Sequence, residues 1–342
     1  MPSSVILDPG DPRWGRFVAA HPDALPYHHP SWAATLAACY GFRSFVVAVL
    51  AAGGEIEAGL PVMEVVHRPR GRARWVALPF TDRCPALAAD AAAERALAEA
   101  LPAAAAAARV GTVQVRAPLP GLVSAPVAVQ HVLDLAPGPD AIARGFSSAA
   151  RRGVRKARRE GVEIRVGATE DDLARVYYAL HLQTRRRLGV PVQPRRFFRL
   201  LWQRVLAPGH GRLLLAYADG APIAGAVFLE AGRTVIYKYG ASDAAAWGRR
   251  PNNLLFAEAI EAAAERGFAA FDFGRSDLAD TGLRAFKAGW GAQERPLVYA
   301  GTRGAEAAAA PGPAGEALAR LIRRSPPAVC RGLGEALYRY AA

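Results

Sequence analysis

Cysteine is scarce, with three residues in 342, and Cys39, Cys84 and Cys330 lie far apart with no C-x-x-C pair. That spacing excludes a disulfide framework and the usual zinc sites, and it suits a reducing compartment. The seven histidines show no ligand spacing, and the adjacent pair His28-His29 cannot easily share one metal. No metal is expected. Long apolar runs are also missing: residues 91–110 are alanine-rich, yet Glu94, Arg95, Glu99 and Pro102 interrupt them. The first residues, MPSSVILDPGDPRW, do not read as a signal peptide. A cytoplasmic protein is expected. G-x-S-x-G is absent and no cysteine falls in the segments of unusual chemistry, so no covalent nucleophile is indicated. Asp272-Phe273-Gly274 spells the kinase DFG, but no H-R-D-x-x-x-x-N or glycine-rich nucleotide loop accompanies it.

What is abundant is positive charge. The chain carries 43 basic and 30 acidic side chains, a net +13, beside 52% hydrophobic residues. Such a balance attracts polyanions: RNA, phosphorylated precursors or the anionic face of a membrane. It also accompanies a general richness in Ala, Arg, Gly and Pro, which by itself has no functional meaning. A length of 342 residues suits two domains of roughly 150 residues each.

The second half reads as a meander. Residues 212–218 (RLLLAYA) form an apolar strand, Asp219-Gly220 is a hairpin turn signal, and 222–230 return. After Ala231-Gly232, TVIYKYG (234–240) makes a third strand, Asn253 can cap a helix that stops at Gly267, and AAFDF (269–273) makes a fourth strand. The first half repeats this order. At a constant offset of 166, Gly54, Ala58, Gly59 and Glu64 meet Gly220, Ala224, Gly225 and Glu230. RWVALP (74–79), an alanine-rich helix near 88–109 and TVQVR (112–116) then follow. The expected fold is α/β with mixed sheets, in two related domains at 1–145 and 146–305, the first without its own chemistry. A helical tail, packed or loosely attached, would occupy 306–342.

Four constellations stand out. SSAARRGVRKARRE (147–160) opens the second domain with Arg151, Arg152, Arg155, Lys156, Arg158 and Arg159, suited to phosphate contact or simply a solvated helix. Trp247, Arg249, Arg250, Asn252 and Asn253 precede a helix, whose N-terminus offers free N–H groups and the positive end of its dipole to an anion. Asp272 ends a strand, where α/β folds place their sites, and is a candidate carboxylate or a turn former. Lys287 sits between Phe286 and Gly289-Trp290-Gly291 in a segment with neither helix nor strand period. A stem packed on aromatics would aim its ammonium into a cleft, where it can hold a phosphate or offset an oxyanion.

With a basic R-R-x-x-R-K-A-R-R-E-G helix opening the second of two tandem domains and a late F-K-x-G-W-G, the chain resembles Fem-type transferases within the GNAT acetyltransferases. The resemblance covers roughly 25–300 and extends to the wider FemAB-like and BioF-like group, some linked to exopolysaccharide and protein-sorting loci. It implies acyl transfer to an amine, as in building the interpeptide bridges of peptidoglycan. It makes Lys287 and Phe286 site residues near the acceptor's phosphates or the reacting carbonyl, and Trp32 part of the acceptor cleft. The inserted coiled-coil arm of some Fem proteins and the coenzyme A loop [RQ]-x-x-G-x-[GA] are both absent.

The expected reaction is direct attack of an amine on the carbonyl of an activated donor, acyl-CoA or aminoacyl-tRNA, with no tightly bound cofactor. Lys287 and Asp272 would be catalytic, Arg249, Arg250, Asn252 and Asn253 would hold the donor, and Phe286, Trp32, Asp82, Arg83, Tyr239 and Arg275 the acceptor. Backbone N–H groups near Tyr239–Ala241 are further oxyanion donors. The acceptor would be a small or lipid-linked envelope precursor, met at the inner face of an anionic membrane. Two other classes stay open: a non-catalytic RNA-binding module and an envelope scaffold.

Overall fold

A computed structural model describes residues 3–66, 72–304 and 312–341. The chain divides into two compact units, one from Met1–Val129 with Pro296–Ala308, the other from Gln130–Arg295 with Ala309–Ala341.

The first unit contains β1 (Ser3–Leu7), α1 (Pro12–Ala20), α2 (Pro30–Tyr40), β2 (Arg43–Leu50), β3 (Ile56–Val66), β4 (Ala73–Val76), β5 (Leu87–Ala88), α3 (Ala91–Ala107), β6 (Thr112–Val115) and the start of β7 (Val123–Asp134). The end of the last strand, β13 (Gln293–Gly301), joins it. Strands run β1-β2-β3-β4-β6-β13, with β5 on β3. β2, β3 and β4 are antiparallel, α3 follows, and β6 returns parallel to β4, Trp75 beside Val113. Asp90 caps α3, its carboxylate accepting from the N–H groups of Ala92 and Ala93 at 2.8 Å each.

The second unit continues with α4 (Pro139–Gly145), α5 (Ser148–Arg159), β8 (Glu163–Val166), π-type turns at Asp172–Tyr177, α6 (Tyr178–Leu188), α7 (Arg195–Leu201), β9 (Gly211–Ala218), β10 (Ala221–Ala231) and β11 (Thr234–Ser242). Then come α8 (Pro251–Glu265), β12 (Ala270–Ser276), α9 (Thr281–Ala288), β13, α10 (Pro313–Arg324) and α11 (Pro327–Leu337). Strand order is β7-β12-β11-β10-β9-β8. Three antiparallel strands, a helix and a parallel fourth strand recur: β12 lies parallel to β11, Val235 beside Phe271.

The repeat therefore lies in the topology as well as in the sequence, and its matched glycines show why. A Cβ on Gly59 would fall 2.6 Å from the Trp14 ring, and one on Gly225 would fall 2.8 Å from the Tyr177 ring. In each unit a helical aromatic packs against a bare strand position. The Asp219-Gly220 turn has φ of 51° and 76°, the two positive values that a type I′ hairpin requires.

Three local expectations differ. The expected boundary at 145/146 falls within the second unit, because the units divide inside β7 and again inside β13. α8 begins at Pro251, with Arg250 as its N-cap, so Asn253 lies inside the first turn. Residues 281–288 are helical: Asp280 caps α9 by accepting from Leu283 N–H at 3.0 Å, a signal that the sparse apolar pattern hid. The tail is packed on α6, with Arg186 Nε donating to the Ser325 carbonyl at 2.7 Å; residues 305–311 lie outside the described residues.

Candidate active site

A cavity of about 550 Å³ opens in the second unit at the N-terminus of α8. α5 supplies Arg152, Gly153 and Lys156; the approach to α8 supplies Trp247, Arg250, Asn252 and Asn253; the end of α9 supplies Phe286 and Gly289, and Trp290 follows. Among the described residues, three cations line it and no carboxylate does. The α8 terminus has no side-chain cap; Pro251 carries no N–H and Asn253 N–H donates to the Arg250 carbonyl at 3.1 Å, which leaves the Asn252 N–H and the positive end of the dipole for an anion.

Two close approaches build this cavity. A Cβ on Gly153 would sit 2.6 Å from the Asn253 side chain, so α5 lies directly against the start of α8. Ser147 caps α5, its Oγ accepting from Ala150 N–H at 3.1 Å, while its own N–H donates to the Gly289 carbonyl at 2.8 Å. The α5 and α9 ends are thereby fixed to each other. Arg250 has a φ of 58°, the left-handed region, which costs a non-glycine residue roughly 1 kcal/mol or more.

Trp290 is fully buried, edge-on to Phe146 at 4.9 Å, and its indole N–H has no acceptor among the described residues. A buried orphan donor in the lining is what a bound oxygen would satisfy.

Of the expected site residues, Arg250, Asn252, Asn253 and Phe286 meet at this cavity. The others do not line it. Lys287 is 2% exposed, and its Nζ donates to the carbonyls of Gly274 at 2.8 Å and Arg275 at 2.9 Å. The ammonium ties α9 to the end of β12 instead of pointing into the opening. Asp272 lies inside β12, not at its end, and accepts from Gly274 N–H at 2.7 Å. Arg249 pairs with Asp219 at 2.6 Å, and Arg275 with Asp277 at 2.8 Å. Tyr239 packs among His181, Phe197 and Phe198, while Tyr237 packs on Phe228 and Phe256. The alternation breaks because Lys238 is an extra residue in the pairing of β11 with β10. The same pairing engages the Gly240 and Ala241 backbone opposite Ala226 and Gly225.

In the first unit, Trp32 is buried with its indole N–H donating to Thr81 Oγ1 at 3.0 Å, which brings its segment to the one holding Asp82 and Arg83. The Asp82 carbonyl accepts from Tyr299 OH at 3.0 Å, and Arg83 is half-buried.

Two features escaped the sequence. Arg152 and Lys156 separate from the other α5 cations by helical spacing, a signal blurred by arginines on every face. His131 is buried with Nε2 at 3.3 Å from Glu294, itself held by two bonds from Arg284 at 2.8 and 2.9 Å. Burial, then the nearby Lys287 charge, holds the His131 pKa below the usual histidine range. Among the described residues no cluster of His, Cys, Asp and Glu is arranged to hold a metal.

Residues 144–293 match the family model of the acetyltransferase (GNAT) domain. The matched residues lie within the second unit. The chain is similar in fold to FemX, at 15% identity and TM-score 0.69 over 87% of this chain and 96% of that one. It is similar to L-PGS from Bacillus licheniformis, at 14% identity and TM-score 0.54 over 93% and 99%. It is also similar to a tandem GNAT protein from the clavulanic acid biosynthesis pathway, at 16% identity and TM-score 0.51 over 91% and 100%. At such identities the likeness is one of fold, and it agrees with the tandem order described above. No curated protein sequence matches the chain at a significant level.

Proposed function

We propose that the protein is an N-acyltransferase that moves an acyl or aminoacyl group from a phosphate-bearing donor to an amine of a cell-envelope precursor. The observation that carries this reading is the cavity: Arg152, Lys156, Arg250 and an uncapped helix N-terminus, with no carboxylate in the lining among the described residues. Such a lining suits the phosphates of acyl-CoA or of the 3′ end of an aminoacyl-tRNA. FemX and L-PGS as fold neighbours support the envelope as the setting.

The amine nitrogen attacks the donor carbonyl, the C–S or C–O bond breaks, and the leaving group departs with the proton that the amine loses. Holding the two substrates in line supplies most of the acceleration, up to roughly 7–11 kcal/mol. Lys287 acts as a positioning residue: its two bonds to strand-end carbonyls fix the α9 end that presents Phe286 to the cavity. Asp272 does the same for the Gly274 turn; the acceptor-side role of Trp32 rests on the family resemblance, and those of Asp82, Arg83, Tyr239 and Arg275 rest on the expected reaction alone.

Incubation with radiolabelled acetyl-CoA and with a radiolabelled aminoacyl-tRNA, each with amine-bearing peptidoglycan precursors, tests the reading. Label on the amine from either donor is expected. Binding of both donors without transfer to any amine would leave a polyanion-binding protein in place of an enzyme.

A further inference from the structure

α5 divides its cations between two sides. Arg152 and Lys156 face the cavity already described, while Arg151, Arg155 and Arg158 line a second one of about 290 Å³. The spacing i, i+4, i+7 places these three on one helical stripe. Ile142, Phe146 and Ile260 are buried in its wall, Val154 is half-buried beside them, and Ala143 stands at the exposed edge. Asp140 and Glu261 are its carboxylates, fewer than its arginines. Arg155 forms no ion pair among the described residues, Arg158 has the neighbouring charge of Glu258, and Arg151 donates from one guanidinium nitrogen to the carbonyls of Arg144 and Phe146, with its other N–H groups left for a ligand.

The charge is concentrated locally. Residues 139–160 hold seven basic and two acidic side chains, and so +5 of the net +13 falls in one short helical pair. An even spread of arginine through the composition would not produce this. Apolar walls beneath a row of arginines match an amphiphile with an anionic head and an alkyl chain. The volume lies at the lower edge of the roughly 300–1,000 Å³ of small-molecule sites, enough for part of one chain and too little for a whole lipid. We propose that this side of α5 docks on an anionic membrane surface, with one phospholipid seating its headgroup on Arg151, Arg155 and Arg158 and a segment of chain in the second cavity. Neither the site nor its occupant depends on acyl transfer.

The test uses the full chain with vesicles of phosphatidylcholine alone, or of phosphatidylcholine mixed equally with phosphatidylglycerol. Sedimentation with the mixed vesicles only is expected. Arg155→Glu with Arg158→Glu should weaken that binding roughly thirty-fold or more, since each basic side chain near such a surface contributes about a factor of five. Transfer between soluble substrates should stay unchanged in this variant, which separates the docking claim from the catalytic one. Dihexanoyl phosphatidylglycerol should bind where glycerol phosphate at equal concentration does not, and Ala143→Trp, which fills the exposed edge, should abolish it with an unchanged circular dichroism spectrum. Equal binding to both vesicles, a double variant that binds like the parent, equal binding of glycerol phosphate, or an RNA duplex bound where vesicles are ignored would each overturn the proposal.

Discussion

The two units place a helix at the same point of the same strand order and finish its N-terminus in opposite ways. In the first, Asp90 closes α3 with a carboxylate that takes two backbone N–H groups and places a negative charge on the positive end of the dipole. In the second, α8 begins at a strained Arg250, has no side-chain cap, and is flanked by Arg152 and Lys156 from α5. A phosphate would meet repulsion and occupied donors at the first helix, and attraction with an open donor at Asn252 at the second. Under the proposed function, one repeat uses its helix terminus for stability and the other leaves it for the donor.

The largest expected effect breaks this asymmetry at its open end. Arg152→Gln with Lys156→Gln should lower kcat/KM for the donor roughly a hundredfold or more in steady-state kinetics, since each charge-assisted phosphate contact contributes about 1.5–3 kcal/mol. The same assay on Asp90→Ala should show no change.

Acid tests both units together. Each buries a neutral histidine: desolvation pushes the His28 pKa down to about 4 and the His181 pKa to about 3, from an ordinary 6.5. His28 Nδ1 accepts from Leu25 N–H at 2.8 Å, and His181 contacts Gln193 at 2.7 Å. Because the folded pKa values are depressed, this stability is full above about pH 6.5 and is lost as pH falls toward the folded values. The loss should be on the order of 3 kcal/mol per histidine by pH 4, visible as a falling Tm. Phenylalanine at either site should flatten that slope for its own unit.

Lys287→Met should cost roughly 2 kcal/mol in a urea melt, because the Gly274 and Arg275 carbonyls lose their donor. Activity should fall further than this loss of fold explains, because the α9 end shifts. The smallest effects sharpen the contrast of caps: Asp90→Ala should destabilise by about 1 kcal/mol. Arg250→Gly should stabilise by up to about 1 kcal/mol, by relieving its positive φ, while weakening donor binding.

The repeat was legible because its marks are local: a type I′ turn at Asp219-Gly220 and matched glycines under Trp14 and Tyr177. The helix-terminus site was legible in Arg250, Asn252 and Asn253 for the same reason. Lys287 was misjudged, because α9 lacks an apolar period and nothing in its neighbours reveals that two strand-end carbonyls lie within reach. The division of α5 into two charged stripes also needed three dimensions, since which face a residue takes depends on where Gly153 meets Asn253.

The most direct measurement of the central claim is a calorimetric titration of the full chain with coenzyme A and with an RNA hairpin ending in the acceptor-stem CCA, repeated on the Arg152→Gln, Lys156→Gln variant. Saturable binding of at least one by the parent, lost in the variant and retained in Asp90→Ala, is predicted. Binding of neither, or equal binding by all three proteins, would contradict the claim that the α8 terminus is the donor site.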